Sequence, residues 1–120
     1  MKVLLDHCVP RRFRRLLTGH EVRTAFEMGW AGLGNGALLA QARQEFGAFL
    51  TVDQNVQFQR NLATLALPVG IIVAADNRFE TLAPYAPAVL DWLSQPLVCE
   101  LARIEATGQI VRVPPRPPQP

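Results

Sequence analysis

Apolar residues fall into short blocks separated by turn residues, and the spacing within each block predicts its structure. Compact apolar blocks predict four strands, at residues 2–5, 21–25, 48–52 and 69–74. The remaining segments predict helices at residues 10–18, 35–46, 54–64 and 79–93. Strands and helices therefore alternate along most of the chain.

Proline, glycine and asparagine mark the ends of these helices. Pro10 suits a first helical turn, Gly19 suits the left-handed position after a helix, and Asn35 suits an N-cap. Pro84 and Pro87 predict a turn or kink in the first part of the last helix.

The C-terminal part is less regular. Residues 97–105 fit a helix and a strand equally, whereas residues 109–113 alternate weakly and predict an edge strand. Residues 114–120 hold five of the ten prolines, so we expect an extended or disordered tail. The organisation predicted is one domain over residues 1–113, followed by this tail.

The alternation of strands and helices predicts an α/β fold. Short connections of this kind imply βαβ units and a mostly parallel sheet covered on both faces, a three-layer α/β/α arrangement. Right-handed crossovers bring the carboxyl ends of the strands to one edge. Ligands of such sheets bind outside that edge, where the strand order reverses.

Composition narrows the setting. The chain has 120 residues, of which 49% are hydrophobic and 18% charged, which is typical of one globular domain. Two cysteines form no disulfide framework, which favours a reducing cytoplasm. The apolar run at residues 69–75 is too short to span a membrane, and the N-terminus lacks the apolar segment of a signal peptide. We expect a cytoplasmic protein without a membrane partner.

An acidic residue follows each of the four predicted strands: Asp6, Glu27, Asp53 and Asp76. Carboxylates gathered at one sheet edge repel one another unless a positive charge neutralises them. Hard oxygen ligands suit Mg²⁺ or Mn²⁺, and such a metal can activate water against a phosphodiester. The pattern predicts a divalent-cation site.

Each acid also has a simpler explanation, except the first. Asp53 is placed to cap the following helix, Glu27 to be an exposed loop acid, and Asp76 to stabilise a turn with the asparagine after it. Asp6 ends an apolar strand, where a carboxylate is costly without a partner. The residues alone therefore favour a functional role most strongly for Asp6, with Asp76 as an outside candidate.

Other polar and aromatic residues near these strand ends have two interpretations. His7 suits a metal ligand or proton donor, or a polar neighbour in a hydrogen-bond network. Cys8 fits a small residue at the core, and Asn55 fits a carboxylate-orienting amide or a solvated helix surface. Trp30 suits base stacking or the anchoring of its loop.

The net charge of +2 is small, but four of the twelve basic residues lie between residues 11 and 15. If the apolar residues of this helix point inward, Arg11, Arg12 and Arg15 cover its outer side. Long cationic side chains there suit a phosphate backbone, although a solvated or partner-binding face explains them equally well.

Four segments resemble a small prokaryotic PIN-like family whose members are uncharacterised or associated with toxin–antitoxin systems. They are LLDHCVP-RRFRRLL-GHEV, EMGW with NG-LL, FLTVDQN--FQRNL, and ADNRFE-LAP, which together cover residues 1–93 in order. The most specific parts are LLD--VP and TVDQN--FQRNL.

The resemblance implies a PIN-like α/β/α nuclease fold that uses acidic residues and Mg²⁺ or Mn²⁺ to cut RNA. It maps Asp6 and Asp53 onto the metal-binding acids and Glu27 and Asn55 onto supporting catalytic positions. Two positions depart from the family pattern. Relatives usually carry an acid where this chain has His7, and another where it has Ala37.

Three hypotheses follow. The first is a metal-dependent endoribonuclease. The resemblance implies that such an enzyme could act as the toxin of a toxin–antitoxin pair. The second is a degenerate relative that binds RNA or a protein without cutting, as His7 and Ala37 suggest. The third is an interaction module that contacts an antitoxin through the arginine-rich helix or the tail. A homodimer is compatible with each of them.

Overall fold

The computed structural model describes residues 1–53 and 67–113, which form a six-stranded sheet with helices between the strands. The strands are β1 (Lys2–Leu5), β2 (Glu21–Thr24), β3 (Ala48–Thr51), β4 (Val69–Ile72), β5 (Leu101–Ile104) and β6 (Ile110–Val113). The α-helices are α1 (Asn35–Ala42), α2 (Phe79–Leu82) and α3 (Ala86–Ser94). Two 3-10 helices, Arg11–Leu16 and Ala83–Tyr85, complete the described elements, and we call the first the arginine helix.

The sheet has the order β2-β1-β3-β4-β5-β6. The first five strands in this order run parallel, and β6 pairs antiparallel with β5 at the edge. The chain moves from β1 to β2 on one side and then returns to place β3 on the other. The strand order therefore reverses between β2 and β3, with β1 in the middle, which is where ligands of open α/β sheets bind.

Both faces of the sheet are buried. Successive side chains of a strand point to opposite faces, so Val3 and Leu5 join one apolar cluster and Leu4 joins the other. The first cluster also contains Phe13 of the arginine helix and Val89 of α3. The second contains residues of α1, among them Leu38, Leu39 and Ala42. The α/β class is confirmed, and the three-layer arrangement stays a prediction.

Packing on the first face depends on a glycine in β4. A Cβ atom at Gly70 would lie 2.7 Å from the Trp92 ring, closer than real contacts allow. Only a residue without a side chain lets α3 pack its tryptophan flat on the strand.

The structure corrects two local predictions and resolves one segment that was left open. The first helix is a 3-10 helix at Arg11–Leu16 rather than an α-helix over residues 10–18, because Phe13 N–H binds the Pro10 carbonyl at 3.0 Å, three residues back. The N-cap of α1 is Gly34, whose backbone is extended, and not Asn35, which is the first helical residue. The undecided segment at residues 97–105 contains β5.

The predictions of a helix at residues 54–64 and of a disordered tail at residues 114–120 lie outside the described residues. Within the described ranges, no helix combines the length and apolarity that crossing a membrane requires.

Candidate functional site

The candidate site lies at the carboxyl end of β1, where the strand order reverses. The Asp6 N–H continues the pairing with β3 by donating to the Leu50 carbonyl at 2.9 Å. On the other side, the Ala25 N–H donates to the Leu5 carbonyl at 2.9 Å. The backbone of Asp6 is thus fixed between the two neighbouring strands, and its side chain is only 2% exposed.

Both oxygens of the Asp6 carboxylate accept hydrogen bonds. Oδ1 accepts from the His7 backbone N–H at 2.8 Å and lies 2.9 Å from His7 Nδ1. Oδ2 accepts from the Thr51 hydroxyl at 2.8 Å and, more weakly, from the Cys8 thiol at 3.6 Å. These contacts satisfy the buried acid at the end of an apolar strand.

Thr51 connects the two predicted metal-binding residues. Its hydroxyl donates to Asp6 Oδ2 and accepts the backbone N–H of Asp53 at 3.0 Å. Thr51 is fully buried, so this bridge is shielded from water. One hydroxyl therefore links the carboxyl ends of β1 and β3, and places Asp6 and Asp53 at the same edge of the sheet.

Four protein groups surround the oxygens of the Asp6 carboxylate. The His7 backbone N–H and the Thr51 hydroxyl donate at 2.8 Å, the His7 ring donates in the tautomer protonated at Nδ1, and the Cys8 thiol lies 3.6 Å away, shared with Thr51. A cation would have to displace one of them. The His7 ring is the donor that moves most readily, because its side chain is 66% exposed. The neighbouring backbone N–H and the Thr51 hydroxyl are held by the sheet.

The acidic residues of this edge fit only a metal that needs few protein ligands. Among residues 1–53 and 67–113, no group of three or more His, Cys, Asp or Glu side chains is arranged to hold a metal ion. Mg²⁺ nevertheless commonly uses one or two carboxylates and completes its shell with water and substrate phosphates. Asp6 and Asp53 would supply two such carboxylates, too few for a closed structural zinc site, and their binding of a metal stays a prediction.

Cys8 contributes to the network as a thiol. Burial raises the pKa of Cys8, and the Asp6 charge adds to this effect, against hydrogen bonds from Thr51 and Val52 that lower it. A reactive thiolate is therefore disfavoured. The Cys8 carbonyl accepts the Asn77 side-chain amide at 2.9 Å, which ties the loop after β1 to the loop after β4.

Glu27 is fixed by partners of its own. Its Oε1 accepts the Thr24 N–H at 3.2 Å and pairs with Arg14 at 3.0 Å. Desolvation alone would raise the pKa of Glu27, but the Thr24 hydrogen bonds and the charges of Arg14 and Arg11 lower it overall. The described contacts make Glu27 a fixed anion after β2, and its catalytic role stays a prediction.

Asp76 forms a turn, as its simpler interpretation predicted. Its Oδ1 accepts the Arg78 N–H at 2.9 Å. The hydrogen bond from the Thr81 side chain, followed by that from Arg78, lowers the pKa of Asp76 below its ordinary value. Both partners are close in sequence, so this acid stabilises the start of α2.

Trp30 anchors its loop. Its ring meets Phe46 edge-to-face, with centroids 6.0 Å apart and planes at 78°, and it packs against the second apolar cluster. The stacking role considered for Trp30 is therefore not supported by its packing. Asn55 lies outside the described residues.

The arginine helix presents its cations as expected. Arg11, Arg12 and Arg15 are exposed, while Phe13 is buried. Arg12 lies over the Phe79 ring at 4.6 Å, and Arg14 turns toward Glu27. The four arginines border a surface concavity of about 330 Å³.

Two members of the site were not considered as site residues from the sequence, Thr51 and Asn77. Thr51 had a signal in the sequence, because it is a polar residue within the apolar strand that ends two residues before Asp53. The contact of Asn77 with Cys8 joins positions 69 residues apart and has no local signature.

Comparison with known protein families, with characterised proteins and with solved structures finds no match to this chain. The assignment of a function therefore depends on the site itself.

Proposed function

We propose that this chain is an endoribonuclease that depends on Mg²⁺ or Mn²⁺ and acts at the sheet edge formed by Asp6, Thr51 and Asp53. The observation that supports this most strongly is a carboxylate only 2% exposed at the reversal of strand order. The Thr51 hydroxyl joins it to the backbone of the second acid. A buried acid at this place in an α/β sheet is typical of a ligand site.

In this proposal, Asp6 and Asp53 hold the cation through their carboxylates. When bound, the cation would activate a water molecule for attack on phosphorus and stabilise the ester oxygen that leaves. Thr51 fixes the orientation of the Asp6 carboxylate. His7 must turn away from Oδ1, which frees that oxygen as a ligand.

The arginine helix supplies the binding surface for the RNA backbone, through Arg11, Arg12 and Arg15. Glu27 lowers the local positive charge by pairing with Arg14. The cellular setting we propose is a cytoplasmic toxin whose partner is an antitoxin protein, with a homodimer as a further candidate state.

The proposal is tested by cleavage of RNA in the presence and absence of Mg²⁺ or Mn²⁺. Asp6→Asn and Asp53→Asn should each abolish metal-dependent cleavage, because each removes one anionic ligand of the cation. The matched control is Asp91→Asn, which makes the same carboxylate-to-amide change in the last turn of α3. Equal cleavage by the wild type and both site variants would refute the assignment.

A second function is favoured by the contacts of Asp6. Protein groups already contact both oxygens of its carboxylate, and His7 and Ala37 stand where the resembling family usually has acids. A chain of this kind would bind RNA or a protein partner without cutting it. The absence of metal-dependent cleavage in wild-type protein that still binds RNA would favour this alternative.

A further inference from the structure

Phe26 is an aromatic side chain without a packing role in the described part of the structure. It follows β2 directly after Ala25, at the same sheet edge as Asp6, and it is 78% exposed. Trp30, four residues later, packs on Phe46 instead. The exposed aromatic ring of this loop is therefore Phe26.

One exposed phenylalanine alone needs no explanation, but Phe26 borders a concavity with polar and charged walls. This concavity measures about 260 Å³ and is also lined by His7, Arg11 and Glu27. The volume lies just below the range of about 300–1,000 Å³ that is typical of pockets for drug-sized ligands. It suits a single nucleotide unit.

Arg11 connects this concavity to the larger one of the arginine helix, because it borders both. Arg14 is paired with Glu27, and Arg12 lies over Phe79 and within 3.9 Å of Glu80. Among the described residues, Arg11 and Arg15 have no ion-pair partner within 4.0 Å. This arrangement matches a single strand of nucleic acid. The ring face suits a base, the exposed guanidinium suits its phosphate, and the basic surface beyond suits the continuing strand.

We propose that Phe26 stacks on an unpaired base of single-stranded RNA, while Arg11 holds the adjoining phosphate. This inference rests on the proposed function, because it names the class of RNA that the same site takes. The bases of an A-form duplex are stacked on one another, so their faces are closed to a protein ring. Stacking on Phe26 therefore selects single strands, and His7 in the same concavity places the bound strand beside Asp6.

The test measures binding of a labelled oligouridylate in the presence of EDTA, so that neither a metal nor cleavage contributes. Phe26→Ala should weaken binding about 5- to 140-fold, the range expected for loss of one base–aromatic stack. Phe26→Tyr and Phe26→Trp keep a ring face and should bind within about twofold of the wild type. Phe26→Leu keeps an apolar side chain without a ring and should resemble Phe26→Ala.

Val98→Ala is the matched control, since Val98 is a large apolar residue that is 48% exposed and follows α3 on the chain. It should leave binding unchanged. An oligonucleotide with abasic positions should bind the wild type and Phe26→Ala equally, because no base remains to stack. Arg11→Ala should weaken binding of both oligonucleotides and reduce the salt dependence by about one counterion.

The outcomes separate this inference from the proposed function. If wild-type protein fails to cleave RNA but Phe26→Ala still lowers binding of single strands, the nuclease proposal fails and the stacking site stands. If Phe26→Ala binds the single strand as tightly as the wild type, the stacking site is overturned, whatever the cleavage assay shows. Equal affinity of the wild type for a duplex and a single strand would also overturn it.

Discussion

Asp6 and Asp76 both follow an apolar parallel strand, yet the structure uses them differently. Asp6 comes directly after β1, is buried, and is bound by Thr51 from a strand 45 residues away. Asp76 comes four residues after β4, is exposed, and is bound by Arg78 and Thr81 within its own turn.

The two acids differ in their distance from the end of the preceding strand and in the position of that strand in the sheet. Asp6 is still within the hydrogen-bonding pattern of the sheet, and its side chain is buried against Thr51 of β3. Asp76 has already left the sheet, and only local donors reach it. An acid after a strand is thus a site candidate when the sheet itself fixes its backbone, and a turn residue when it lies beyond.

The largest effect on stability is expected at Asp6. Asp6→Ala leaves the Thr51 hydroxyl and the His7 N–H without their buried acceptor, so we expect a loss of about 2–4 kcal/mol in the free energy of unfolding. Asp76→Ala should have a much smaller effect, because water replaces its partners. Urea denaturation of the two variants tests this comparison, and equal losses would show that burial does not distinguish the two acids.

A smaller loss is expected at Thr51. Thr51→Val keeps the shape of the side chain but removes the donor to Asp6 and the acceptor of the Asp53 N–H, which should cost about 1–3 kcal/mol. Thr24→Val is the control, since Thr24 is also buried but its hydroxyl accepts the N–H of Glu27, only three residues away, at the end of β2. Thermal unfolding measures the stability of both variants. A larger loss of stability in Thr24→Val than in Thr51→Val would contradict the bridge.

The smallest expected effect is the contribution of Asp76 to the pH dependence of stability. Its pKa is lower in the folded protein than the ordinary 3.8, so the stability that its charge contributes is present above that pH. This contribution is lost as the pH falls through the lowered pKa. Asp76→Asn should therefore flatten the stability profile below about pH 4, measured as urea midpoints, and leave it unchanged near neutral pH. A variant profile as steep as that of the wild type would contradict the turn assignment.

The sequence predicted the strands well where apolar blocks are compact. The segments Lys2–Leu5 and Ala48–Thr51 are buried strands as expected, because an uninterrupted apolar run suits a sheet covered on both faces. β5 could not be assigned, since its four residues include Arg103 and follow a segment with no periodicity. Its strand structure depends on pairing with β4, which is a tertiary interaction.

The candidate site was predictable only in outline. The position of Asp6 after an apolar strand indicated a buried acid, and the structure confirms that burial. His7 was expected as a polar neighbour in a hydrogen-bond network, whereas the contact of the Thr51 hydroxyl with Asp6 depends on the register of β1 and β3 and could not be predicted. The exposure of Phe26 in place of Trp30 likewise depends on which ring the loop turns toward Phe46.

The most direct test of the proposed site is a calorimetric titration of the protein with Mn²⁺. Wild-type protein should bind one ion with a dissociation constant on the order of micromolar, and Asp6→Asn should bind at least about tenfold more weakly. His7→Ala should bind more tightly than the wild type, because it frees Oδ1 of Asp6. No binding to the wild type, or equal binding to the wild type and Asp6→Asn, would contradict a cation site at this edge.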